Sequence, residues 1–75
     1  MQRIQVESSM ISSVGYDPVT RTLEVEFVST AVWRYLDVPK GTYEGLMKAE
    51  SKGSYMRSFV IDVFRDERVT RRRRG

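Results

Sequence analysis

The sequence contains no cysteine and no histidine in its 75 residues. The lack of cysteine excludes disulfides, zinc ribbons and thiol nucleophiles. There is also no run of about 18 apolar residues, which argues against a transmembrane helix, and the N-terminus has no apolar segment typical of a signal peptide. We therefore expect a cytoplasmic protein that has no contact with a membrane and needs no metal ion or cofactor.

Groups that could carry catalysis are equally scarce. The chain has no histidine base, no cysteine nucleophile and no glycine-rich phosphate loop. Glu24 and Glu26 are two residues apart on a predicted strand, where they should share the solvent-facing side. Two exposed carboxylates at this spacing are ordinary in an antiparallel sheet. The sequence thus predicts a binding protein and not an enzyme.

The charge is unevenly distributed along the chain. The composition is 40% hydrophobic and 31% charged, which suits one small globular domain. Residues 1–67 hold eight basic and ten acidic side chains, whereas the last eight residues add only basic ones, Arg68 and Arg71 to Arg74. We therefore expect a mildly acidic folded domain over residues 1–67 and a flexible, disordered, arginine-rich tail over residues 68–75.

The first half of the chain has the pattern of antiparallel strands. Leu23, Val25 and Phe27 alternate with polar residues, as in a strand with one buried face. In the preceding strand, Ile11 and Val14 are an odd number of positions apart, so a regular strand would place them on opposite faces. This predicts a bulge or an irregular start of that strand. A third strand is rich in β-branched and aromatic residues. The breaks between these strands lie at Asp17-Pro18-Val19-Thr20-Arg21 and Ser29-Thr30-Ala31, so the pattern predicts a three-stranded meander over residues 10–36.

The second half has the pattern of two helices. Pro39 can open the first, and Gly45 within it would let the helix backbone approach a neighbour closely. Gly53 suits the left-handed end of this helix and Ser54 the N-cap of the next. The second helix then has an apolar stripe that predicts burial of Phe59 and Val63, and it comprises Met56, Phe59, Val60, Val63 and Phe64. A strand over residues 59–63 is the alternative, but the helical stripe is longer. The predicted fold class is α+β, with both helices packed on one face of the sheet.

These features occur in the order found in a known family. The matching pieces are Ser8-Ser9-x-Ile11, Gly15-Tyr16-Asp17, Leu23-x-Val25-x-Phe27, an aromatic-x-aromatic pair, Val38-Pro39 and Ala49-x-Ser51-x-Gly53-x-Tyr55. Together they resemble the KTSC domain, a small bacterial and phage domain named after the C-terminus of some lysyl-tRNA synthetases. The resemblance covers about residues 6–66. It implies RNA binding, by association with the synthetase, and no catalytic activity.

The chain departs from the family pattern at three places. Trp33-Arg34-Tyr35 replaces the central Tyr-x-Tyr, and the turn Ser29-Thr30-Ala31 lacks the usual glycine. Met56-Arg57 replaces the Phe-Asn that often follows Tyr55. The first change keeps two rings on one strand face, and the other two fall at exposed junctions.

Three groups of residues are candidates for binding nucleic acid. Trp33 and Tyr35 share a strand face and form a stacking platform for bases, unless the core of so small a domain needs them. Lys48, Lys52 and Arg57 surround the predicted helix junction, where a helix start attracts phosphate; alternatively, capping alone explains the junction. The tail, Arg71, Arg72, Arg73 and Arg74, fits RNA phosphates, an acidic protein surface or a purely solubilising role. We favour RNA over DNA, with a protein-interaction module as the alternative.

Overall fold

The computed structural model describes residues 2–69. Five strands form one antiparallel sheet in the order in which they occur in the chain. Two helices lie between the fourth and fifth strands. The elements are β1 (Ile4–Gln5), β2 (Ile11–Asp17), β3 (Thr22–Phe27), β4 (Val32–Tyr35), α1 (Lys40–Lys48), α2 (Lys52–Phe59) and β5 (Asp66–Val69).

Strands β2, β3 and β4 form the predicted meander. The register between β2 and β3 shifts between Ile11 and Ser13, which confirms the bulge that the sequence indicated. The shift turns Ile11 to the same side as Val14, and both are fully buried. The first turn also forms as expected, because the backbone N–H of Val19 donates to Asp17 Oδ1 at 2.9 Å.

The predicted number of three strands is wrong, because the described structure has an additional strand at each edge of the sheet. Strand β1 has two exposed residues, and β5 consists of three exposed charged residues followed by Val69. Neither has the alternation of apolar and polar residues by which strands are recognised in a sequence. Strand β5 includes Arg68 and Val69, which the sequence analysis had assigned to the tail after residue 67.

The helices differ from the prediction at their junction. Helix α1 begins directly after Pro39, as expected, but Ser51 is the N-cap of α2 and its side chain accepts from the N–H of Ser54. Ser54 is therefore not the cap, and Gly53 lies inside α2 and not at the end of α1. The glycine is buried there, and a Cβ on it would lie 3.0 Å from the sulfur of Met10.

The core lies between the helices and one face of the sheet. Its buried side chains come from β2, β3, β4, both helices and the loops beside them, and they are Ile11, Val14, Leu23, Val25, Tyr35, Val38, Leu46, Met56 and Val60. The expected burial of Phe59 and Val63 is wrong, because these side chains are 55% and 58% exposed. Helix α2 ends at Phe59, and the following turn, with Asp62 at φ 66°, redirects the rest of the apolar stripe.

The other face of the sheet is polar and carries a buried carboxylate. Glu24, predicted to be solvated, is only 6% exposed. Its two oxygens accept from Arg3 Nη1 at 2.5 Å and from Arg34 Nε at 2.9 Å. Glu26, on the same face, accepts from Ser13 Oγ at 2.8 Å. Arg34 on the neighbouring strand β4 and Arg3, which precedes β1, thus shield a group that the strand pattern alone predicts to be solvated.

Neither described helix is long and apolar enough to cross a membrane.

Candidate nucleic-acid interface

A pocket of about 210 Å³ lies where the start of α2 meets the loop before β2. Two segments that are distant in sequence form its wall, one around Ser8 and the other around Ser51. Its lining is mostly polar and comprises Ser8, Ser9, Met10, Glu50, Ser51, Lys52, Gly53, Ser54 and Arg57. Hydroxyl groups, two cations, one carboxylate and the first turn of a helix therefore surround one opening. The cations Lys52 and Arg57 outnumber the carboxylate of Glu50, which is a chemistry suited to an anion.

Two of the three predicted junction cations lie at this pocket. Lys52 and Arg57 line it, whereas Lys48 is exposed but is not among the lining residues. The ammonium group of Lys52 donates to the carbonyl of Ala49 at 3.0 Å, so it also closes the end of α1. The guanidinium group of Arg57 has only a weak contact, 3.9 Å from the sulfur of Met10. Arg57 is thus the cation more readily available to a ligand.

The wall opposite the helix is held by Ser8. Its hydroxyl accepts from the backbone N–H groups of Met10 and Ile11 at 3.1 and 3.2 Å. This turn places Met10 against Gly53, where any larger residue would be crowded. The sequence identified Ser8 and Ser9 only as parts of a family pattern, in which Met10 is the unspecified position. The sequence signal of this segment is a pair of serines just before a strand, and such a pair does not show which part of the fold it contacts.

The aromatic pair does not form an exposed platform. Trp33 and Tyr35 lie opposite Val25 and Leu23, on the core side of β4. Tyr35 is 3% exposed and belongs to the core, so its ring is not available for stacking on a base. Trp33 is half-buried and packs against the same core, which leaves only part of the indole accessible. Arg34 points to the opposite face, as expected for the residue between them, and bonds to Glu24.

The electrostatics around Tyr35 agree with this position. Burial, together with the negative charges of Asp66 and Asp62, raises the pKa of its hydroxyl to about 12. The neutral phenol is therefore the stable form within the fold. A group held in this way is part of the structural core and not part of the candidate site.

The remaining predicted site residues, Arg71 to Arg74, lie outside the described residues. Within residues 2–69, no group of three or more acidic side chains is placed to hold a metal ion.

Comparison with known families assigns the fold. The model of the KTSC domain matches residues 7–64, which is most of the chain. The chain belongs to the KTSC domain family. The match spans the sheet from the loop before β2 to the turn before β5, and it includes both segments that line the pocket.

A solved KTSC domain has the same structure. The crystal structure of a KTSC domain protein from Yersinia pestis superposes with a TM-score of 0.90 at 36% identity, covering 92% of this chain and 97% of that one.

A protein of Stutzerimonas stutzeri is similar in sequence. It is 44% identical over 55 residues, which are 73% of this chain and 78% of its own.

Other relatives carry the domain within a longer protein. The lysine–tRNA ligase of a Nostoc species is 36% identical over 67 residues, which are 89% of this chain but 12% of the ligase. A second ligase, from Nostoc punctiforme, is 34% identical with the same coverage. This chain therefore corresponds to about one eighth of the length of these ligases.

Proposed function

We propose that this KTSC domain binds RNA, with the pocket at the start of α2 as its phosphate-binding site. The observation that carries the proposal is the convergence of two family segments, Ser8-Ser9 and Ser51 to Ser54, on one opening that also holds Lys52 and Arg57. A partly buried, positively charged pocket bordered by helix N–H groups and hydroxyls is a common arrangement for binding phosphate oxygens.

The occurrence of the domain in lysine–tRNA ligases supports RNA over DNA, since those proteins by name act on tRNA. An RNA partner is also consistent with the cytoplasmic location expected from the sequence. The remaining contacts in the proposal come from Arg71 to Arg74, whose charges add phosphate binding, and from the accessible part of Trp33. A single half-buried ring supports stacking on one base at most.

Salt dependence of binding tests the proposal. For single-stranded RNA, log K should fall with log salt by about 0.7 for each phosphate contact. The double variant Lys52→Gln/Arg57→Gln should reduce that slope by about 1, and removal of residues 70–75 by roughly 2 to 3. The matched control is Lys40→Gln/Arg65→Gln, which removes two exposed cations that do not line the pocket.

The single tryptophan, Trp33, provides an independent readout. A base stacked on its ring should quench the indole fluorescence on titration with RNA, while lysine and arginine substitutions should leave the final quenching unchanged. Equal losses from the pocket variant and the control would mean generic attraction to a polycation. No binding at about 50 mM salt, where electrostatic binding is strong, would overturn the proposal.

One observation favours a protein-interaction module as a second candidate. Phe59 and Val63 are large apolar side chains that remain more than half exposed at the end of α2. A photocrosslinking residue at position 59, with one at the exposed position 19 as a matched control, tests this alternative. A defined protein captured from position 59 and not from position 19 would favour it. Equal labelling from both positions would argue against it.

A further inference from the structure

The outer edge of β5 has no strand beside it in the described part of the chain. Among the strands of residues 2–69, β5 is the last in the sheet and pairs only with β4. Edge strands present a row of backbone donors and acceptors that another strand can use. The β5 edge is four residues long, and its first three side chains are charged and exposed.

The direction of each backbone group in β5 follows from one hydrogen bond. The N–H of Leu36 donates to the carbonyl of Arg65 at 2.8 Å, so these two residues form a hydrogen-bonded pair. Because such pairs alternate along an antiparallel ladder, Glu67 also bonds toward β4, opposite Arg34. The N–H and C=O groups of Asp66 and Arg68 therefore point outward, away from the sheet.

We propose that β5 pairs with β5 of a second copy of this chain, antiparallel and centred on Glu67. The two-fold axis is then perpendicular to the sheet, which becomes continuous over ten strands with all helices on one side. In this register Asp66 of one copy lies opposite Arg68 of the other. The outward groups of these two residues form four backbone hydrogen bonds across the interface.

The charges of the edge select this register. Each of the two symmetric pairs joins an aspartate with an arginine on the same face of the sheet, an arrangement that stabilises antiparallel pairing. A shift of the centre to Asp66 would place two aspartates opposite each other, and a shift to Arg68 would do the same with two arginines. With either shifted centre, some of the backbone hydrogen bonds across the interface would have to come from residues outside β5.

One contact in the proposed dimer is unfavourable. Glu67 of each copy faces Glu67 of the other on the polar side of the sheet, and like charges in this position destabilise the pairing. Arg34 is the cross-strand neighbour of Glu67 within each copy and reduces the repulsion. Together with the short edge, this contact makes the dimer weak. Glu67→Gln should therefore tighten it.

The mass of the protein in solution gives the first test. Sedimentation equilibrium should show a shift from 8.8 kDa toward twice that mass as the concentration rises to about 1 mM, the range expected for a small interface. A mass that stays at 8.8 kDa throughout would overturn the proposal.

Charge exchange gives the sharper test. Asp66→Arg places arginine opposite arginine, and Arg68→Asp places aspartate opposite aspartate, so each variant alone should remain monomeric. An equimolar mixture of the two restores both opposite-charge pairs and should form a heterodimer at least as readily as the parent protein dimerises. Melting curves of each variant first establish that it is folded. Self-association of both single variants, or a mixture that stays monomeric, would overturn the proposed pairing.

Discussion

The backbone of Gly45 in α1 lies against the ring of Tyr55 in α2. A Cβ at position 45 would lie 2.9 Å from Cζ of that ring and would overlap its hydroxyl. The hydroxyl in turn donates to the carbonyl of Thr42 at 3.0 Å. The two helices therefore cross at a point where only hydrogen fits between them, as the sequence suggested for this glycine.

Gly45→Ala should lower the free energy of unfolding, although alanine is the better helix former by about 1 kcal/mol. The added methyl group forces Tyr55 out of its position, and overpacking of this kind costs about 1–3 kcal/mol. Gly41→Ala in the same helix is the control, since nothing lies within 4 Å of its Cβ position. Urea denaturation of both variants should give shifts of opposite sign. Stabilisation by Gly45→Ala would contradict the close crossing.

Met56 and Phe59 in α2 should differ strongly when replaced by alanine. Met56 is fully buried, so Met56→Ala should cost about 2–5 kcal/mol and leave the domain largely unfolded. Phe59 is 55% exposed and contacts Tyr55 with ring centroids 4.8 Å apart, so its replacement should cost about 0.5–1.5 kcal/mol. Thermal melts of the two variants check the order. A larger loss for Phe59→Ala would mean that the helix presents a different face to the sheet.

Thr30→Gly should stabilise the domain. Thr30 has φ 77°, in the left-handed region that β-branched residues avoid, and the related family pattern has a glycine in this turn. Relief of the strain is worth about 1–3 kcal/mol, and the greater freedom of glycine in the unfolded chain offsets part of it, about 0.4–1 kcal/mol. Ser29→Gly lacks the strain to relieve and should be neutral or destabilising. The two melting temperatures should therefore move apart.

The stability of the domain should fall as the pH rises from 10 to 12, and Tyr35 should account for part of the fall. The pKa of its hydroxyl is about 12 in the folded protein against an ordinary value of 10.0. The unfolded chain therefore loses this proton first, and the contribution present below pH 10 disappears as pH 12 is approached. Two pKa units set an upper limit of about 2–3 kcal/mol, and solvent screening at the hydroxyl reduces the contribution below it.

Tyr35→Phe isolates this contribution, because the other titrating groups remain. The parent protein should lose more stability than the variant over the same pH range. Asp66→Asn should lower the pKa of Tyr35, since the carboxylate of Asp66 contributes to raising it. Parallel losses in parent and Tyr35→Phe would show that the hydroxyl is solvated in the fold.

The sequence predicted the central strands, in which one face is buried and the other is polar. The alternation of Leu23 and Val25 with polar residues placed β3 correctly. The odd spacing between Ile11 and Val14 located the bulge. Strand β5 was missed because Asp66, Glu67 and Arg68 are charged, and their strand conformation comes from hydrogen bonding to β4. Pairing of that kind leaves no hydrophobic pattern for a sequence analysis to detect.

The candidate site was predictable only in part for a similar reason. Lys52 and Arg57 were identified from the charge around one helix junction. Ser8 and Met10 are about 40 positions away from that junction in the sequence, and only the fold brings them to it. Glu24 was wrongly predicted to be solvated, because Arg3, the partner that helps to bury it, lies in a segment with no strand pattern.

Because β1 and β5 form opposite edges of the sheet, the two ends of the described chain are separated by four strand spacings, about 19 Å. A label or affinity tag attached before Gln2 would therefore be located beside β1, away from the β5 edge. A tag attached after Arg74 would be adjacent in the sequence to the arginines that are proposed to bind phosphate. Surface immobilisation through the N-terminus is accordingly the orientation that leaves the β5 edge free for a second copy to approach.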